Sequence, residues 1–132
     1  MILDTSFLIA YCNIRDFHHD KSIKLMSNII SGKYGRIYIT DYIFSEIVTV
    51  LSIRFNDLSK TIIFCELIKD LAMIKVNDQI FEDAWKIFKE QKRTKLSFTD
   101  CTIIATMKSE GVKNIATFDE DFKEIEDINV IG

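Results

Sequence analysis

Apolar residues along this chain follow two rhythms that alternate from one end to the other. Met1 to Asp4 is apolar up to a terminal acid and predicts a short buried strand. Thr5 to Ile14, apolar with polar breaks, predicts a short helix. From His18 to Ser31 apolar residues recur at Ile23, Met26, Ile29 and Ile30, a helical period, and Gly32 follows as a stop. Arg36 to Thr40 alternates and is β-branched and aromatic, which predicts a second strand. Asp41 is expected to cap the next helix, whose apolar face is Ile43, Ile47, Val50 and Leu51. Leu58 to Asp70 is a further helix and Ala72 to Val76 a third strand. Asn77 or Asp78 should cap a helix through about Gln91, with Phe81, Ala84, Ile87 and Phe88 inward. Thr99 to Glu110 reads as a helix stopped by Gly111, Asn114 to Phe118 as a fourth strand, and Ile128 to Ile131 as a weak fifth.

Strands that alternate with helices require right-handed crossovers, hence an α/β fold with a mostly parallel central sheet flanked by helices on both faces. Nothing in the 132 residues suggests a linker, a repeat or a low-complexity stretch, and there is no proline. One domain, 1–132, is the expectation. Sites in such sheets form beyond the carboxyl ends of strands, where the strand order reverses.

Four acids stand where acids cost stability. Asp4 and Asp119 follow the first and fourth strands, at the same edge of a parallel sheet. Glu46 has Tyr42, Ile43, Thr49 and Val50 as its helical neighbours, and Asp100 has Leu96, Ser97, Ile103 and Ile104. Singly, each has an ordinary role: Asp4 as a cap, Glu46 as a boundary residue, Asp100 complementing a helix dipole, Asp119 in a turn. Gathered at one point, four carboxylates would repel one another and lose hydration, a cost that divalent cations remove. Oxygen-only ligands suit Mg2+ or Mn2+, ions that clamp phosphate oxygens and activate water. Thr5, Ser6, Ser97 and Thr117 stand beside these acids and could orient them or a bound water; capping is the other role open to Ser6 and Ser97.

Composition narrows the options. Apolar residues make up 48% and charged ones 28%, so a disordered chain is excluded. A formal net charge of -3 argues against coating nucleic acid by bare electrostatics, though not against an enzyme that carries its positive charge as metal ions. Cys12, Cys65 and Cys101 are odd in number and widely spaced, which fits reduced thiols rather than a disulfide framework or zinc ribbon. No signal sequence or membrane span is visible, so a soluble cytoplasmic protein is expected.

The opening Met-Ile-Leu-Asp-Thr-Ser-Phe-Leu-Ile-Ala resembles that of PIN-domain nucleases. So do Glu46 in Thr-Asp-Tyr-Ile-Phe-Ser-Glu-Ile, the run Leu96 to Ala105, and Thr117-Phe-Asp-Glu-Asp-Phe. The compact size is similar to VapC-type toxins of prokaryotic toxin–antitoxin pairs. The resemblance implies a PIN fold and Mg2+- or Mn2+-dependent cleavage of single-stranded RNA, leaving 5′-phosphate and 3′-hydroxyl ends. It implies Asp4, Glu46, Asp100 and Asp119 as the acidic site, Asp121 as a weaker candidate, and Ser6 as the small polar residue after the first aspartate. It also implies a homodimer and a cognate antitoxin.

Lys86, Lys89, Lys92, Arg93 and Lys95 form a basic stretch that could follow an RNA backbone, or serve as a solvated helix face. Tyr11, Tyr42, Phe44 and Phe98 could stack bases, but core or rim packing suits each better. His18 and His19 are adjacent and point apart, which argues against a metal-binding pair. A haloacid-dehalogenase-like phosphatase would need an acid at position 6, where Ser6 stands, and a receiver domain would need an acidic pair after the first strand. A non-catalytic PIN-like RNA- or protein-binding module and a housekeeping RNA-processing nuclease remain as alternatives.

Overall fold

The computed structural model describes all 132 residues. Strand β1 (Ile2–Leu3) leads to helices α1 (Thr5–Cys12) and α2 (His19–Ile30), and β2 (Tyr38–Thr40) leads to α3 (Asp41–Phe55) and α4 (Leu58–Lys69). Then come β3 (Ala72–Ile74), α5 (Asp78–Lys89), α6 (Phe98–Glu110) and β4 (Asn114–Ala116). A short 3-10 turn (Glu120–Glu124) and β5 (Asn129–Ile131) close the chain. Every expected element is present, each strand shorter than its apolar run.

The five strands form one sheet in the order β3-β2-β1-β4-β5, with every neighbouring pair parallel. The chain steps outward from β1 through β2 to β3, then returns across the sheet to β4. Right-handed crossovers therefore put α1 to α4 on one face and α5 and α6 on the other. The direction of winding reverses between β1 and β4, so their carboxyl ends open a crevice there. Ile2, Leu3, Ile39, Ile115 and Ala116 of the sheet are wholly buried. Helix α6 is central as well: Cys101 to Met107 are all buried, and the Thr102 and Thr106 hydroxyls donate back to the Thr99 and Thr102 carbonyl oxygens. No helix is long and apolar enough to cross a membrane.

Local chemistry sets the helix ends. Asp57 and Asn77 accept from the backbone N–H three residues on and start α4 and α5. Helix α3 is capped by Thr40, not Asp41; the Asp41 carboxylate instead accepts from Val76 N–H at 2.9 Å and ties α3 to the end of β3. Helix α3 ends at Asn56 and α6 at Gly111, both left-handed, a conformation these residue types tolerate best.

Two apolar faces differ from expectation. Helix α2 buries Ser22, Met26 and Ile29, a stripe spaced by four and three, and leaves Ile23 and Ile30 exposed. The Ser22 hydroxyl donates to His19 O at 2.6 Å, which is how a polar residue is accommodated there. Helix α5 buries Ile80 and Ala84, while Phe81 lies edge-on against Phe98 and stays 41% exposed. Val50 is half-buried because it borders the cleft described next.

Candidate active site

The crevice at the switch point is an open cleft of about 540 Å³. Asp4, Glu46, Asp100 and Asp119 all line it, as do Thr5, Ser6 and Ser97. Four separate segments thus bring their acids to one place.

Asp4 is held most firmly. It follows β1 in extended conformation, caps α1, and is only 4% exposed. Ser6 Oγ donates to Asp4 Oδ2 at 2.8 Å, Thr117 Oγ1 at 2.7 Å and Ser6 N–H at 3.4 Å. Asp4 Oδ1 receives none of these. Burial nonetheless raises the Asp4 carboxyl above the usual range, with the hydroxyl donors opposing it. The two hydroxyls also work in the other direction. Ser6 Oγ accepts from Phe118 N–H and Thr117 Oγ1 accepts from Asp119 N–H, each at 3.0 Å. The loop that carries Asp119 is therefore latched to Asp4 through two hydroxyl groups.

Asp100 sits at the third position of α6. It completes a capping box: Ser97 N–H donates to its Oδ2 at 2.7 Å, and its own N–H donates to Ser97 Oγ at 3.1 Å. Its carboxyl is pushed up to about 6, chiefly by burial, with the charges of Asp4 and Asp119 adding to the rise. The charges of Asp4 and Asp119 reach Asp100 because all three line the same cleft. Glu46 accepts from Thr5 Oγ1 through its Oε2 at 2.6 Å, which leaves Oε1 outside that bond. Asp119 Oδ1 accepts from Asp121 N–H at 2.9 Å as the cap of the 3-10 turn.

Four of the sequence-predicted residues lie elsewhere. Asp121 borders a separate hollow with Lys92, Arg93 and Lys95, and its carboxylate pairs with Lys95 at 3.4 Å. Lys95 also meets Glu124 at 2.6 Å, so its charge is met within the protein. The basic stretch thus does not open onto the acidic cleft. None of Tyr11, Tyr42, Phe44 and Phe98 lines the cleft either. Tyr11 lies in an apolar hollow behind α1, and Tyr42 meets Phe98 edge-on.

Other cleft residues escaped sequence reasoning: Asp16, His18, Arg54 and Phe118. Arg54 was detectable, because Glu46, Val50 and Arg54 are spaced by four and share one face of α3. Asp16 and His18 belong to a loop without periodicity. His18 stacks on Phe118 at 4.3 Å and 9°, and Arg54 reaches Asp16 at 3.5 Å.

No three carboxylate, imidazole or thiol side chains close round one point as a ready-made cage. Magnesium does not need one: it keeps several waters and is held by one or two carboxylates plus substrate phosphates. Oxygen donors alone, and acids whose mutual repulsion a cation would relieve, fit such an ion.

A parallel sheet with a carboxylate-lined crevice at its switch point defines an acid-site α/β protein, and the PIN-domain model matches residues 1–128. The chain belongs to the PIN-domain family. Its relatives include the VapC ribonuclease of Archaeoglobus fulgidus, 26% identical over 92% of this chain and 78% of that one. The crystal structure of VapC20 from Mycobacterium tuberculosis, described as a Sarcin-Ricin loop cleaving toxin, superposes with a TM-score of 0.81 at 23% identity, covering 92% of each chain. A toxin–antitoxin complex from Klebsiella pneumoniae superposes with a TM-score of 0.65 at 17% identity, over 99% of this chain and 95% of that one.

Proposed function

We propose that this chain is an endoribonuclease that cleaves single-stranded RNA with Mg2+ or Mn2+ and acts as the toxin of a toxin–antitoxin pair. One observation carries the reading: four acids from four segments, one of them buried, line a single open cleft at the carboxyl ends of β1 and β4. Family membership and the likeness to VapC ribonucleases support it.

Asp4, Asp100 and Asp119 would hold the metal, with Glu46 as a further ligand or as the group that orients the attacking water. When bound, such an ion neutralises charge on the phosphate oxygens and makes a coordinated water more acidic. The protein's own part is positioning. Thr117 and Ser6 fix the Asp4 carboxylate and the Asp119 loop as one unit. The Ser97 cap holds Asp100 at the start of a buried, rigid helix. Thr5 pins one oxygen of Glu46 and leaves the other to coordinate the ion or to accept a hydrogen bond from, and so orient, the attacking water. The cleft's openness suits a single strand lying across it, which a closed pocket would exclude.

The same reading gives the chain a cytoplasmic setting, a cognate antitoxin and a homodimeric state; the antitoxin rests on the likeness to the Klebsiella pneumoniae complex. The test is cleavage of single-stranded RNA in Mn2+, in EDTA, and by an Asp4→Asn control. Cleavage confined to the metal-loaded wild type is expected. Cleavage that persists in chelator or in the control would overturn the assignment.

A further inference from the structure

Phe17 is the most exposed large apolar side chain of the protein, at 94%. Water around a bare phenyl ring costs free energy, and this ring is not on a floppy tail. Asp16 N–H donates to Asn13 O, His18 N–H to Asp16 Oδ1, and His19 N–H to Asp16 O. Arg54 clasps the same Asp16 carboxylate. The loop is thus tied down at both ends and presents Phe17 outward.

Behind Phe17 stands a column of rings. Phe17 meets His18 edge-on at 5.0 Å and 83°, His18 stacks on Phe118 at 4.3 Å, and Phe118 stacks on the buried Phe7 at 5.7 Å. His18 and Phe118 are walls of the acidic cleft itself. Cationic groups accompany the column: Lys21 Nζ lies 5.6 Å from the Phe118 ring, and Arg54 is half-exposed beside Asp16. Flat aromatic faces, neighbouring cations and an adjacent phosphate-handling site together match a nucleotide, whose base needs a stacking surface and whose phosphate needs positive charge. The hollow beside Lys92, Arg93 and Lys95 offers no such combination, since no aromatic side chain lines it.

We propose that Phe17, backed by His18 and Phe118, is a stacking platform for an unpaired nucleobase of the RNA strand that enters the acidic cleft. This rests on the nuclease reading and adds to it a subsite that grips bases without choosing among them. Stacking tolerates any base because every base has a π-face. The 13–18 loop then holds one nucleotide while a neighbouring phosphodiester lies at the acids.

The experiment uses the full chain and two fluorescein-labelled probes: a random single-stranded 12-mer RNA, and a 12-mer of abasic tetrahydrofuran spacers. Binding is followed by anisotropy in calcium, with Mn2+-dependent cleavage of the RNA measured in parallel. Phe17→Ala and Phe17→Leu should each weaken RNA binding about tenfold, and Phe17→Trp should restore it. All four proteins should bind the abasic strand equally. Because Phe17 is exposed, none of these variants should lose its fold. Equal RNA binding by wild type and Phe17→Ala, with wild-type cleavage intact, would overturn the platform alone. The same holds if binding falls equally for both probes. A wild type that neither binds nor cleaves the RNA would overturn the nuclease reading, and the platform with it.

Discussion

Replacing Asp100 by Asn should make the metal-free protein more stable, although it removes a group assigned to the active site. Burial, aided by Asp4 and Asp119, holds the Asp100 carboxyl at about 6 against an ordinary 3.8. Below pH 3.8 the group is protonated in both folded and unfolded chains, and it makes no difference to stability. As pH rises towards 6 the unfolded chain loses the proton first, so the folded state becomes progressively less favoured. Above pH 6 the full penalty stands, at most about 3 kcal/mol. Partial exposure to solvent screens it, and the charge near the start of α6 returns about 0.5 kcal/mol through the helix dipole. A net gain of about 1–2 kcal/mol for Asp100→Asn at pH 8 remains. Asn keeps an oxygen to accept from Ser97 N–H, so the cap survives. For a chain of this length that gain raises Tm by about 3–10 °C. Thermal melts of both proteins at pH 8 and pH 4, in EDTA and in Mn2+, decide the matter. The gain should shrink towards zero at pH 4, and Mn2+ should stabilise the wild type more than the variant. A variant less stable at pH 8 in EDTA, or a gain equal at both pH values, would refute the electrostatic argument.

Other consequences are as direct. Thr117→Val removes a hydrogen bond to a buried carboxylate and orphans the Asp119 N–H, which should cost about 2–4 kcal/mol in urea unfolding and most of the cleavage activity, with Thr117→Ser restoring much of both. Protons should compete with Mn2+ for the Asp100 carboxylate, so at subsaturating Mn2+ the cleavage rate should climb between about pH 5 and 7 and the apparent affinity for Mn2+ should tighten with it; an Mn2+ affinity flat from about pH 5 to 7 would count against that role. Lys95→Ala should leave the salt dependence of RNA binding unchanged, because Glu124 and Asp121 already occupy the ammonium; a shallower slope would restore Lys95 as a phosphate contact.

The acids were legible in the chain because each breaks a local rule. Asp4 and Asp119 end apolar strands, and Glu46 and Asp100 interrupt buried helix faces; parallel topology then sends all four to one edge. Thr117 and Ser6 were legible as companions, but not as a latch, since the pairing spans residues 6 and 117. The choice of Thr40 over Asp41 as the α3 cap depends on Val76 claiming the Asp41 carboxylate, a contact between distant segments. Lys95 read as a free cation for the same reason: its partners come from the turn after β4. The aromatic wall was hidden in the 13–18 loop, which has no period to betray which way Phe17 and His18 point.

The central claim is that the cleft is a divalent-cation site built from Asp4, Asp100 and Asp119, and anomalous diffraction from a crystal soaked in Mn2+ addresses it most directly. A manganese peak about 2.0–2.3 Å from carboxylate oxygens of at least two of these residues is the predicted result. A fully occupied manganese elsewhere on the protein, with this cleft holding only water, would contradict it.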